Sequence, residues 1–279
     1  MPIVLTPNRR PSAVVALAVA ALLLGGCSPA PEPSPPAAGT AAEQLAALPV
    51  KGRAPKTGYS REAFGDGWVD TDRNGCDTRN DVLARDLTEV RFRPGTRDCV
   101  VASGTLADPY GGGTVAFVRG EGTSDAVQID HVVALSNAWQ TGAQQWDADR
   151  RARFANDPLE LLAVDGPLNS AKGDGDAATW LPPNTGFRCA YVARQVAVKA
   201  AYGLWVTPAE RDAVARVLAT CPDQPVAQAS PSAAGGDGTD PRFASCREAR
   251  EAGRGPYVAG TDPEYDWYRD ADGDGRACD

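Results

Sequence analysis

The chain has 279 residues, 43% of them hydrophobic, a formal net charge of −8 and a single histidine. That apolar share supports one substantial core and excludes a wholly disordered chain. The acidic balance argues against loose, sequence-independent coating of nucleic acid, and residues 223–279 hold twice as many acids as bases, so the acidity is concentrated away from the histidine.

Arg9 and Arg10 precede an apolar stretch over residues 13–24, which is short for a membrane span and runs into Gly25, Gly26 and Cys27. This resembles a bacterial lipoprotein signal. The resemblance implies cleavage before Cys27, a lipid on its sulfur and an outward-facing, membrane-tethered protein. An ordinary secretory signal is the alternative, and both export the chain. Residues 1–26 are thus read as signal and residues 27–50, rich in Pro and Ala, as a spacer. In an oxidising compartment the six remaining cysteines pair, and six allow fifteen pairings. Cys76–Cys99, Cys189–Cys221 and Cys246–Cys278 are expected, because each pair then lies within one segment. No CxxC spacing supports a zinc knuckle.

Residues 51–222 are read as the main domain. Residues 99–106 and 114–118 read as strands joined by a Gly-rich turn, and residues 127–130 as a third strand. After it, Ala134, Ala138 and Trp139 fall at helical spacing; residues 190–202 read as a second helix, and Val214, Val217 and Leu218 share one face of a third. The class is α+β. Trp139, Trp146 and Trp180 are expected in the core rather than stacked on bases. Residues 223–240, with Pro, Gly and Ala and no apolar period, form a second linker ahead of a small module over residues 241–279.

The only histidine, His131, follows Asp130 in VQIDHVVALSNAW. Successive side chains on a strand face opposite sides, so this pair can address one substrate only at a strand end. Downstream, RFANDPLELLAVDGPLNSAKGD carries Asn156, then Asn169 and Lys172 three apart, on one face of a helical turn. This order resembles the HNH, or ββα-metal, endonucleases: an acid–histidine pair at the end of a strand, an asparagine in the next loop, then a ligand on a short helix. The likeness covers most of residues 59–222, with GCDTRNDVL from Gly75 as a further family-like segment.

The resemblance implies a disulfide-stabilised ββα-metal domain in which His131 is the general base and Asn156 orients its ring. Asp130 and Asn169 would hold Mg²⁺ or Mn²⁺, and Lys172 and Arg79 would bind phosphate. An imidazole titrates near neutrality and suits a base, while hard Mg²⁺ prefers oxygen ligands and keeps several waters. Many family members have another histidine; this chain has none, so Asp130 and Asn169 act with waters, or Asp174 or Asp176 contributes.

At the C-terminus, Asp270, Asp272, Asp274 and Gly275 match the start of a calcium loop. With Cys246 upstream and Cys278 beside Asp279, the segment resembles the excalibur module, which implies Ca²⁺ held by Asp270, Asp272, Asp274 and Asp279 around a disulfide. The combined expectation is an exported, lipid-anchored, Mg²⁺-dependent endonuclease, monomeric, with nucleic acid as substrate and DNA favoured over RNA. Alternatives from other classes are an inactive cell-surface binding protein and a hydrolase of another phosphodiester polymer.

Overall fold

The computed structural model describes residues 1, 39–228, 242–251, 255–259, 263–270 and 273–278. Cys27, Asp272 and Asp279, singled out above, lie outside the described residues.

Helix α1, Ala41–Ala47, starts at a capping box in which the Thr40 hydroxyl accepts from the Glu43 N–H and the Glu43 carboxylate accepts from the Thr40 N–H. Ala41, Leu45 and Leu48 recur at one helical face and are buried in the main core. Part of the stretch expected as spacer is thus helical, because three apolar residues within the Pro- and Ala-rich composition carry a helical period. Val226 is buried in the same core, so the second linker also starts later than residue 223.

Helix α2, Thr78–Asp86, is capped by the Asp77 side chain on the Asn80 N–H and leads into a three-stranded antiparallel meander. The strands are β1, Leu87–Phe92, β2, Val101–Ala107, and β3, Thr114–Val118. The sequence left β1 unassigned: its pairing is broken by irregular register between Thr88 and Phe92, which blurs the two-residue alternation.

Strand β4, Val127–His131, pairs antiparallel with β5, Leu161–Asp165. Between them run α3, Leu135–Gln140, and α4, Ala148–Ala155. Immediately after β5 the chain turns into α5, Gly166–Lys172, capped by Asp165 and carrying Pro167 in its first turn, where its missing N–H costs nothing. Helices α6, Arg188–Tyr202, and α7, Pro208–Leu218, complete the domain.

The β4–β5 pair separates two cores. Val127, Ile129, Leu161 and Ala163 pack toward the meander with Val82, Leu106 and Phe117. Leu162 and Val164 pack into the larger core with Phe154, Tyr191 and Val196. Arg85 and Arg194 both donate to the carbonyls of Pro158 and Leu161, which fixes the turn into β5. Disulfides join Cys76 to Cys99 and Cys189 to Cys221.

The C-terminal module has its own core of Ala249, Tyr257 and Cys278. It contains α8, Cys246–Glu251, and the short antiparallel pair β6, Tyr257–Val258, and β7, Arg276–Ala277, with a Cys246–Cys278 disulfide. So small a core makes the disulfide a needed support. Among the described residues no helix is long and apolar enough to cross a membrane.

Candidate active site

His131 is the last residue of β4, so the strand end anticipated for the Asp130–His131 pair is present. A cavity of about 670 Å³ runs along β4 and is lined by Gln128, Asp130, His131, Asn169, Arg61 and Arg79 among others. Among the described residues β4 pairs with β5 alone, and its residues 127–131 line that cavity.

The two side chains of the pair have different surroundings. The His131 ring lies parallel to the Trp68 indole, with centroids 5.8 Å apart and planes 9° from parallel. Its Nε2 is 2.9 Å from the Ala155 carbonyl oxygen. A carbonyl only accepts, so Nε2 carries the proton and Nδ1 bears the lone pair. Burial, with smaller contributions from the charges of Arg61 and Lys172, pushes the imidazole down to about 3 against the opposing Ala155 carbonyl. At neutral pH the ring is uncharged and able to accept a proton.

Asp130 is 5% exposed. Its Oδ1 accepts from the Lys172 ammonium at 2.8 Å, and its Oδ2 accepts from the Tyr110 hydroxyl. Burial raises the carboxyl, and Lys172 followed by the Tyr110 hydrogen bond opposes that rise. Lys172 also donates to the His131 carbonyl at 2.8 Å. Its side chain is fully buried.

The Lys172 ammonium is therefore directed at Asp130 and the His131 carbonyl, not at the cavity. The three-residue spacing from Asn169 is helical as expected, but the ammonium is consumed beneath the strand. Asn156 also departs from its expected contact. Its Oδ1 accepts from the Val69 N–H at 3.1 Å, and its amide nitrogen donates to the carbonyls of Ala152 and Gly67. The ring is held by the neighbouring backbone carbonyl of Ala155 instead. Asn156 acts one step removed, pinning the chain on both sides of Trp68. The residue closes α4, where its side chain is free to turn to the passing loop.

Asn169 and Arg79 do reach the cavity. Asn169 donates to Gln128 Oε1 at 2.9 Å, which leaves its own amide oxygen without a described partner. The Arg79 guanidinium sits 5.8 Å from the Phe117 ring centroid and forms no described ion pair. Asp174 lines the cavity but is paired with Lys56 at 3.0 Å, and Asp176 is held by Arg53 at 2.7 Å.

Several residues escaped the sequence reading. Arg61 lines the cavity and no local pattern marked it. Trp68, Tyr110 and the Ala155 carbonyl are contacts made only by folding. Glu160, fully buried, accepts from the Val133 N–H with both oxygens and fixes the turn after His131. It lies within the quoted NDPLELLAV segment, and a charged residue amid apolar neighbours was the available signal.

The donor set suits a hard, mostly hydrated divalent cation in kind. Each Asp130 oxygen has one described partner and a second lone pair, and the Asn169 amide oxygen is open. Among the described residues no three His, Cys, Asp or Glu side chains converge as a metal cluster, so waters would supply most of the shell.

In the C-terminal module, Asp270 Oδ1 accepts from the Gly273 N–H at 2.7 Å, and Oδ2 from the Gly275 N–H at 2.9 Å and the Tyr265 hydroxyl at 2.7 Å. Asp274 Oδ1 accepts from the Arg276 N–H at 2.8 Å.

Comparison with known proteins places this geometry. Residues 243–278 match the Excalibur calcium-binding domain. A relative from Arthroderma benhamiae, described as an uncharacterized secreted protein, is 40% identical over 210 residues, covering 74% of this chain and 98% of its own. No solved structure matches the chain. Residues 77–217, just over half the chain and the segment that holds His131, match the C-terminal domain of GmrSD restriction endonucleases, and the chain belongs to that family.

Proposed function

We propose that the protein is an exported, metal-dependent endonuclease of the HNH, ββα-metal type, hydrolysing nucleic-acid phosphodiester bonds with His131 as general base. The observation that carries this is the neutral imidazole, held through Nε2 by Ala155 and stacked on Trp68, with Nδ1 unpartnered among described residues beside a cavity that also receives Arg61 and Arg79. The β4–β5 pair, with α3 and α4 inserted between its strands and α5 directly after it, with the histidine ending β4 and Asn169 on α5, supports the ββα reading. The matched family, a restriction-endonuclease domain, supports nucleic acid as substrate, with DNA favoured over RNA.

The division of labour follows from chemistry. A water held against the phosphate gives a proton to His131 Nδ1 as it attacks phosphorus. The imidazolium so formed is destabilised by burial, and the negative phosphate offsets this, so the base is strengthened where substrate is bound. Arg79 and Arg61, as cavity-lining guanidiniums, bind phosphate oxygens and stabilise the charge that builds on them. Asn156 and Ala155 keep the ring in place. Asp130 and Asn169 would be the oxygen donors for Mg²⁺ or Mn²⁺, which when bound would supply Lewis-acid charge neutralisation at the phosphate and leaving oxygens. Ca²⁺ is assigned to the C-terminal module through Asp270, Asp272, Asp274 and Asp279.

Three disulfides require an oxidising compartment, and the relative is named as secreted, which together support export. The Gly25-Gly26-Cys27 sequence supports lipid anchoring through Cys27. The exported chain should be incubated with plasmid, RNA and a glycerol-phosphate polymer in Mg²⁺, Mn²⁺ and EDTA. Metal-dependent cutting of plasmid is expected. Cleavage of the glycerol-phosphate polymer alone would move the substrate class, and no cleavage of any of the three would sink the enzymatic reading.

A further inference from the structure

Arg79 lines the His131 cavity, and two further arginines continue from it across the meander. The Arg79 guanidinium lies 5.8 Å from the Phe117 ring centroid, and that of Arg119 lies 6.0 Å from the same ring. Arg119 prolongs the β3 pairing, its N–H donating to the Ala102 carbonyl at 2.8 Å, and two residues on from Phe117 it faces the same side. Arg93 prolongs β1 in the same way, its N–H donating to the Val100 carbonyl at 2.8 Å. Val100 and Ala102 are two apart, so Arg93 and Arg119 flank β2 and face alike. The three charges sense one another. Burial lowers the Arg119 guanidinium most, Arg79 lowers it next and Arg93 adds a smaller push, with Asp77 opposing.

None of the described ion pairs includes Arg79, Arg93 or Arg119. Asp77 is the acid near both Arg79 and Arg119, but its two oxygens accept from the N–H and the amide nitrogen of Asn80. Asp125, the other acid near Arg79, is exposed and forms no described ion pair. Arg119 is held in place all the same: Nε donates to the Val101 carbonyl at 2.6 Å and Nη2 to Asn80 Oδ1. Those bonds fix the plane of the guanidinium without cancelling its charge, and no described hydrogen bond uses its Nη1. The Phe117 ring likewise steadies Arg79 and Arg119 without neutralising either. Arg93 is exposed, and the turn that follows it is closed by the Thr96 hydroxyl donating to the Arg93 carbonyl at 2.7 Å. Three like charges gathered without a carboxylate partner, in a chain of net charge −8, make a local positive field that attracts an anion.

We infer that Arg119 and Arg93, continuing from Arg79, form a backbone-phosphate subsite outside the His131 cavity, which takes phosphodiesters flanking the one to be cut. The inference rests on the endonuclease reading and extends it from one phosphate to a length of strand. A planar guanidinium matches phosphate oxygens in a two-pronged fashion, and arginine suits this task better than lysine. Contacts of this kind set register and orientation and carry no sequence information. They give an acidic chain a grip on a polyanion at one place, where the cavity opens toward the meander.

Fluorescence anisotropy tests this, with the full exported chain carrying His131→Ala titrated onto a labelled DNA duplex longer than one helical turn, in calcium buffer. Affinity is read across a salt series, because each neutralised phosphate contributes about −0.9 to the slope of log K against log salt. Arg93→Gln is expected to weaken binding about threefold or more and to flatten the slope by about 0.9. Adding Arg119→Gln should flatten it by about as much again, and Arg93→Lys should restore most of the slope. Arg216→Gln, at an exposed position on α7, removes the same charge and should change neither quantity. Arg119 also holds Val101 and Asn80, so the exposed Arg93 decides the matter if the double variant unfolds. Unchanged affinity and slope in Arg93→Gln, or an equal loss in Arg216→Gln, overturns the subsite and leaves cleavage at His131 standing. A duplex that the chain does not bind also overturns it, and plasmid cutting by the wild type then judges the nuclease reading separately.

Discussion

Two carboxylates in the same domain, Asp130 and Asp81, are both 5% exposed, yet the chain treats them oppositely. Asp130 receives the Lys172 ammonium and the Tyr110 hydroxyl, so its charge is answered by the protein itself. Asp81 receives one amide from Asn74 and faces Asp72, Asp70 and Asp77. Burial, with those three charges added, pushes its carboxyl up to about 7. Burial to the same degree therefore leaves the two carboxylates with different electrostatic surroundings. What distinguishes the two is the source of positive charge: Lys172 pairs with Asp130, and among the described residues no cation pairs with Asp81.

The contrast can be broken most forcefully at Lys172. Lys172→Met strands a buried carboxylate and is expected to cost about 3–5 kcal/mol in urea unfolding, while the double variant with Asp130→Asn recovers much of that. A loss below about 1 kcal/mol would mean that Asp130 is neutralised by something else.

His131 sharpens the comparison through pH. Its folded imidazole is depressed to about 3 from an unfolded value near 6.5, so the unfolded state binds the proton first as pH falls. Stability should be unaffected above pH 7 and decline through the window from about 6.5 to 3, by on the order of 1 kcal/mol per pH unit. His131→Ala should lessen that slope, and an unchanged slope in calcium-replete buffer would contradict the buried neutral ring.

Asp81 has the opposite sense. Its folded carboxyl is raised, so the folded state holds the proton more tightly and stability falls as pH rises from about 4 to 7. At pH 8, Asp81→Asn should stabilise by on the order of 1 kcal/mol, after allowance for solvent screening. A destabilised variant would show that the carboxylate is already satisfied. The smallest effect belongs to the exposed pair Lys56–Asp174, whose side chains are 54% and 52% exposed. Lys56→Ala should change stability by less than about 1 kcal/mol.

Much of this was legible in the chain itself. The lone histidine at a strand end, the strand over residues 114–118, the helix beginning near residue 190 and the C-terminal acidic alternation follow from period and residue type. The N-terminal boundary was hidden because α1 buries only a few small or aliphatic residues within a spacer-like composition. The roles of Lys172 and Asn156 were hidden for another reason. Spacing fixes which helical face a residue occupies, but not whether that face meets the cavity or the strand beneath it. The Ala155 carbonyl carries no side-chain signature at all, and Arg61 and Trp68 join the site from a loop remote in sequence.

The central claim is that His131 takes the proton from the attacking water. Cleavage of supercoiled plasmid by the exported chain in Mg²⁺ should fall about 10²–10⁴-fold in His131→Ala, with the far-UV spectrum and calcium binding unchanged. Cutting at an undiminished rate by that variant would contradict the claim, since no other histidine exists to replace it.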